Sequence, residues 1–198
     1  KQGIGIIQDV VLSHIGSNHW WMKDLPTADW INYGNKFTPT HHNHTAVQDP
    51  YASKEDADNF TRGWFVQSMP DLNQSNGFVA NYLIQNNIWW IEYAGLSGLR
   101  IDTFGYSDPA FLTQYTKRLM DEYPKLNLVG EEWNTKVPVV AYWQRGKVNH
   151  DGYRAYTPSL MDFPVAEAMR NALADTKGGN VFNDVYETLS LDYLYPEP

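Results

Sequence analysis

Residues 98–133 read GLRIDTFGYSDPAFLTQYTKRLMDEYPKLNLVGEEW, and they decide the fold. Two short apolar runs, 99–104 and 126–131, flank a stretch in which Phe111, Leu112, Tyr115 and Leu119 recur at helical spacing. Asp108 is placed to cap that helix, Pro109 suits its first turn, and Pro124 stops it. Strand, helix and strand within about 30 residues make a right-handed βαβ unit, so the two strands are parallel. Neither apolar run alternates strictly, as expected of strands covered on both faces.

The same grammar extends outward. Residues 4–11 form a third apolar run, read as another buried parallel strand, and 160–163 a weaker fourth. A second helix is predicted over 79–93, closed by Gly95, and a third over 165–173, followed by Gly178 and Gly179. Residues 12–77 are rich in Trp, His, Asn, Asp and Pro and show little periodicity. They read as an excursion after a strand, where α/β barrels place functional loops.

The carboxylates sit at strand ends. Arg100 and Asp102 are two apart and share a strand face, and a carboxylate beside a cation stays ionised at neutral pH, as a nucleophile must. A structural Arg–Asp pair is the plain alternative. The next strand ends in Glu131 and Glu132, which must point to opposite faces, so one of them joins Asp102. Neighbouring strands lie about 4.8 Å apart. Two carboxylates projecting from them approach the roughly 5–5.5 Å of a retaining glycosidase, too close for an inverting enzyme's water.

Composition narrows the field. A net charge of −8 over 198 residues disfavours nucleic acid, and no run approaches the roughly 18 apolar residues of a membrane helix. Cysteine is absent, which removes thiol catalysis and cysteine–zinc sites. Eight Trp and thirteen Tyr suit the stacking of sugar rings as well as a packed core.

Four segments in order then carry a resemblance: DVVLSH at 9–14, MPDLN at 69–73, GLRID at 98–102 and VGEEW at 129–133. They resemble the conserved regions of the α-amylase family, with a flavour similar to neopullulanases and cyclomaltodextrinases. The resemblance implies the central part of a (β/α)8 barrel, about strands three to six. Residues 1–11 and 78–198 would belong to the barrel, and 12–77 to a small inserted domain walling the cleft. It implies Asp102 as nucleophile and Glu131 as general acid/base. Arg100 would orient Asp102, His14, Trp133 and Tyr106 would contact sugar, and Asp9 would brace the site.

The implied activity is hydrolysis of α-1,4 and also α-1,6 bonds in starch-derived oligosaccharides, cyclodextrins or pullulan. The alternatives are transfer to a sugar hydroxyl, and a catalytically silent sugar-binding homologue. Two departures stand out. Ser13 replaces the Asn that often helps the family bind calcium, which argues against that ion; no other cofactor is implied. Gly105 and Tyr106 replace a frequent Lys-His, which alters contacts beyond the cleavage point. The family's third carboxylate, in a segment resembling NHD, is not found. The 198 residues alone are therefore expected to be inactive and to self-associate. A periplasmic location fits the resemblance.

His41, His42 and His44 lack an HExxH frame and any evident acidic partner. They read as a solvated or sugar-contacting loop rather than a metal site. Sequons at Asn43, Asn59 and Asn73 are common by chance in an Asn-rich chain. Trp89 and Trp90 read as helix core, while Trp20 and Trp21 fit either core or cleft wall.

Overall fold

A computed structural model describes residues 3–174 and 181–196. Its centre is a parallel four-stranded sheet in the order β1 (Ile7–Val11), β2 (Gly98–Asp102), β3 (Asn127–Gly130), β4 (Ser159–Leu160). Helices α1 (Lys54–Arg62) and α2 (Gly77–Ala94) lie between β1 and β2, and α3 (Pro109–Glu122) joins β2 to β3. Helix α4 (Val137–Ala141) precedes β4; α5 (Phe163–Ala174) and α6 (Val181–Leu189) follow it.

The predicted signals act where they were read. Asp108 accepts from the Phe111 N–H at 2.9 Å, Pro109 opens α3, and Phe111, Leu112, Tyr115 and Leu119 are buried. Asn76 caps α2 by accepting from the Phe78 N–H, two residues earlier than predicted, and Gly95 closes it at φ +62°. That left-handed turn is one glycine adopts without penalty. The run read as a strand over 160–163 is strand only at Ser159–Leu160, and α5 begins at Phe163, two residues before the predicted start, with Asp162 accepting from the Val165 N–H. Gly178 and Gly179 lie outside the described residues.

Registration sorts the side chains of β2 and β3 into two layers. Leu99 pairs with Leu128 and Ile101 with Gly130. Leu99, Ile101 and Leu128 are completely buried, each contributing roughly 1.5–3 kcal/mol. Arg100, Asp102 and Val129 occupy the opposite, half-buried layer. Gly130 is needed because a Cβ there would stand 3.0 Å from both Phe104 and Leu160.

Among the described residues β1 is the sheet edge, with Ile7 and Val11 exposed and Val10 alone in its span buried. Two expectations are corrected. Trp89 is not core, since α2 buries Val79, Leu83, Ile84 and Ile91; Trp89 stacks on Tyr93 at 4.6 Å on the outer face, and Trp90 is half-buried. The aperiodic excursion also hides a helix, α1, capped when Ser53 accepts from the Asp56 N–H.

Residues 12–76 share the core of the sheet. Trp21, Trp30, Ile31, Trp64 and Leu72 belong to one hydrophobic cluster with Leu83, Leu99, Ile101 and Phe104. The 69–73 segment is tied directly to the loop after β1: Leu72 N–H donates to Ser13 O at 2.8 Å, and Ile15 N–H to Pro70 O at 3.0 Å. Two of the four motif segments are thus strapped together beside the strand ends.

Candidate active site

Asp9 of β1 is in register with Arg100 of β2, and Asp102 lies two residues farther along the Arg100 face. Nη1 of Arg100 donates to Asp9 Oδ1 at 2.8 Å and to Asp102 Oδ1 at 2.7 Å. Nη2 forms an ion pair with Glu131 Oε1 at the end of β3. One planar fork therefore reaches three carboxylates from three successive strands, a geometry an ammonium cannot match. Partial burial works against its charge, but the hydrogen bonds to Asp9 and Asp102 and the field of Glu131 hold Arg100 well above its ordinary range. Asp9 is largely exposed, so its share is weakened by solvent.

Glu131 is nearly buried, and its second oxygen accepts from the Thr103 N–H at 3.1 Å. Thr103 follows Asp102 directly and sits at φ +45°, a left-handed conformation rare for a β-branched residue. Its hydroxyl and that of Ser13 lie 2.8 Å apart, and Ser13 Oγ also meets His14 Nδ1 at 2.8 Å. The strained turn is thereby held in place at the strand ends, where strain concentrates in functional sites. Ser13 is buried, with its hydroxyl within hydrogen-bond reach of both neighbours. Burial lowers the His14 pKa, opposed by the charge of Asp102, which leaves the ring neutral at pH 7.

Beside Glu131 opens a cavity of about 250 Å³ lined by His42, His44, Phe65, Thr103, Tyr106, Glu131 and Trp133. Trp133 is exposed and stacks on Phe163 with ring planes 7° apart, presenting an indole at the mouth. Larger cavities, such as those along residues 145–156 and around Phe78, contain none of these groups.

Tyr106 lines the cavity but is mostly buried, its hydroxyl occupied by His42 Nδ1 at 2.9 Å and His44 Nε2 at 3.2 Å. The histidine loop does have an acidic partner: His44 Nδ1 bonds Glu132, which is 1% exposed and 88 residues away in sequence. Burial raises the Glu132 pKa, with His44 and Trp143 opposing. Nothing local linked those histidines to Glu132, although the adjacent acids of VGEEW already implied one carboxylate pointing away from the site. Among the described residues no cluster of three or more His, Cys, Asp or Glu is arranged to hold a metal. His41 stands apart, its backbone N–H donating to Asn59.

The model of the α-amylase catalytic domain matches residues 1–178. An intracellular maltogenic amylase of Bacillus subtilis is 28% identical over 176 residues, covering 88% of this chain and 26% of that protein. Neopullulanase 2 of Thermoactinomyces vulgaris is 29% identical over 136 residues, 68% of this chain and 22% of that protein. The crystal structure of a Geobacillus thermoleovorans α-amylase complexed with acarbose superposes with a TM-score of 0.73 at 25% identity, covering 98% of this chain and 38% of that one. The chain thus spans about a quarter of the length of these two relatives.

Proposed function

The chain belongs to the α-amylase catalytic-domain family, its sheet being part of a (β/α)8 barrel, and on that premise we propose that it serves a retaining α-glucan hydrolase. The observation that carries the reading is the single guanidinium of Arg100 shared by Asp102 and Glu131 at neighbouring strand ends. Two carboxylates gathered on one fork suit the roughly 5–5.5 Å spacing of a double displacement rather than the wider gap of an inverting pair.

In the first half-reaction an Asp102 oxygen attacks the anomeric carbon. Glu131 gives its proton to the departing glycosidic oxygen, the C–O bond breaks, and a glycosyl ester forms on Asp102. In the second half Glu131, now a carboxylate, takes a proton from water. The water oxygen attacks the anomeric carbon and Asp102 leaves. In the free protein both Glu131 oxygens accept hydrogen bonds, from Arg100 and from the Thr103 N–H. Its donor role therefore requires one of these contacts to lengthen as sugar enters. On this reading His14, hydrogen-bonded to Ser13, contacts the sugar at the cleavage point, and Trp133, which lines the cavity beside Glu131, stacks on the one beyond it.

The names maltogenic amylase, cyclomaltodextrinase and neopullulanase support starch-derived oligosaccharides, cyclodextrins or pullulan as the substrates of this reading, with cleavage at α-1,4 and also α-1,6 bonds as its finer part. Transfer to a sugar hydroxyl uses the same covalent intermediate. The test is anomeric NMR of products from maltoheptaose, β-cyclodextrin and pullulan with the full-length protein and its Glu131→Gln variant. Retention requires α-configured products and a rate loss of at least about 10³-fold in the variant. β-Configured first products, or an undiminished variant, would reject it.

A further inference from the structure

Four side chains outside the catalytic pair form one hydrogen-bonded line. It starts at Glu132, completely buried with its Oε2 in a slot between Gly105 and the indole of Trp143. Its Oε1 meets His44 Nδ1, His44 Nε2 meets the Tyr106 hydroxyl, and that hydroxyl meets His42 Nδ1. Both nitrogens of His44 are occupied, so its ring cannot turn without breaking a bond to a buried carboxylate, which costs more than an exposed one. Tyr106 is fixed in the same way, packed against Phe60 and Phe65. The line ends at Nε2 of His42, for which the described residues supply no hydrogen-bond partner. His42 sits at φ +53°, with its N–H near the Thr40 hydroxyl at 3.2 Å and its ring edge-on to Phe65.

All three members beyond Glu132 line the cavity that opens beside Glu131 and Trp133. On the reading above, Glu131 serves the leaving oxygen, so this cavity receives the leaving-group sugar. A sugar there presents hydroxyl groups, and a fixed imidazole nitrogen is a partner for one of them. We propose that His42 binds a hydroxyl of the leaving-group sugar through Nε2, and that Glu132 is a positioning residue that aims it through His44 and Tyr106. The replacements at 105 and 106 become one device: a Cβ at 105 would stand 2.0 Å from Glu132 Oε2, and the Tyr106 hydroxyl is the link between the histidines.

The test compares maltoheptaose, whose leaving group is a sugar, with 4-nitrophenyl α-maltoside, whose leaving group has no hydroxyls. Variants are His42→Asn, which tolerates the left-handed backbone, His44→Gln, and the two combined, all in the full-length protein. Each single change should raise KM for maltoheptaose about tenfold more than KM for the nitrophenyl substrate, the worth of one hydrogen bond, with kcat falling less than KM rises. The double variant should lose no more than His42→Asn alone, because His44 acts only through His42. Equal losses on both substrates, a fall confined to kcat, or multiplying effects would overturn the assignment. A parent protein that cleaves neither substrate would instead remove the hydrolase reading on which it rests.

Discussion

Gly105 faces Glu132 so closely that a side-chain carbon at 105 would stand 2.0 Å from Oε2 of the buried carboxylate. Glu132 cannot retreat: Trp143, fully buried, closes the slot and His44 holds the other oxygen. Gly105→Ala should therefore cost about 1–3 kcal/mol by overpacking. Thermal denaturation would show it as a lowered Tm. Combining it with Glu132→Ala should cost less than the sum of the two, since the clash and the carboxylate disappear together.

Arg100→Lys should lower kcat/KM by about 10²-fold or more, because a point charge cannot serve Asp9, Asp102 and Glu131 with a fork's geometry. Near-ultraviolet circular dichroism should remain that of the parent, since Leu99 and Ile101 keep β2 packed on the opposite layer. A lysine variant with parental activity would mean the shared guanidinium does not organise the pair.

Asp71 carries a pH signature. Burial raises its carboxyl well above the ordinary 3.8, opposed by its hydrogen bond from Asn32 and the charge of Arg62. The folded chain thus keeps a proton that the unfolded chain releases. This group's contribution to stability is greatest below 3.8 and is lost as pH rises through the raised value. Urea titrations at a series of pH values should show Asp71→Asn removing that downward slope.

Calcium offers a fourth check. With Ser13 bonded to His14 and Thr103, excess chelator should leave Tm where it was. A resident ion at a hundred times its dissociation constant would contribute about 2.7 kcal/mol, a shift easily seen in a melting curve.

Much of this molecule was legible in its residues because local chemistry decided it. Asp108, Pro109 and Pro124 bound α3 as their backbone preferences dictate, and the two-residue spacing of Arg100 and Asp102 put them on one face. The adjacent acids 131 and 132 had to diverge, and they do, one to Arg100 and the other to His44. What was not legible depends on long-range pairing. The His44–Glu132 bond joins positions 88 apart, Ser13–Thr103 joins positions 90 apart, and neither leaves a periodic trace. Trp89 misled for a different reason: hydrophobicity marks what can be buried, while the face of α2 that packs is set by Leu83, Ile84 and Ile91.

The central claim is that Asp102 forms the covalent intermediate while Glu131 handles the proton, and a trapped intermediate tests it most directly. The full-length protein would be treated with a 5-fluoro-α-glucosyl fluoride, which slows both half-reactions but keeps a good leaving group, then digested and sequenced by mass spectrometry. The account predicts one glycosyl ester, on Asp102, that accumulates further in Glu131→Gln because its release lacks a base. A label on Glu131 or on another residue, or turnover with inverted products and no label, would contradict it.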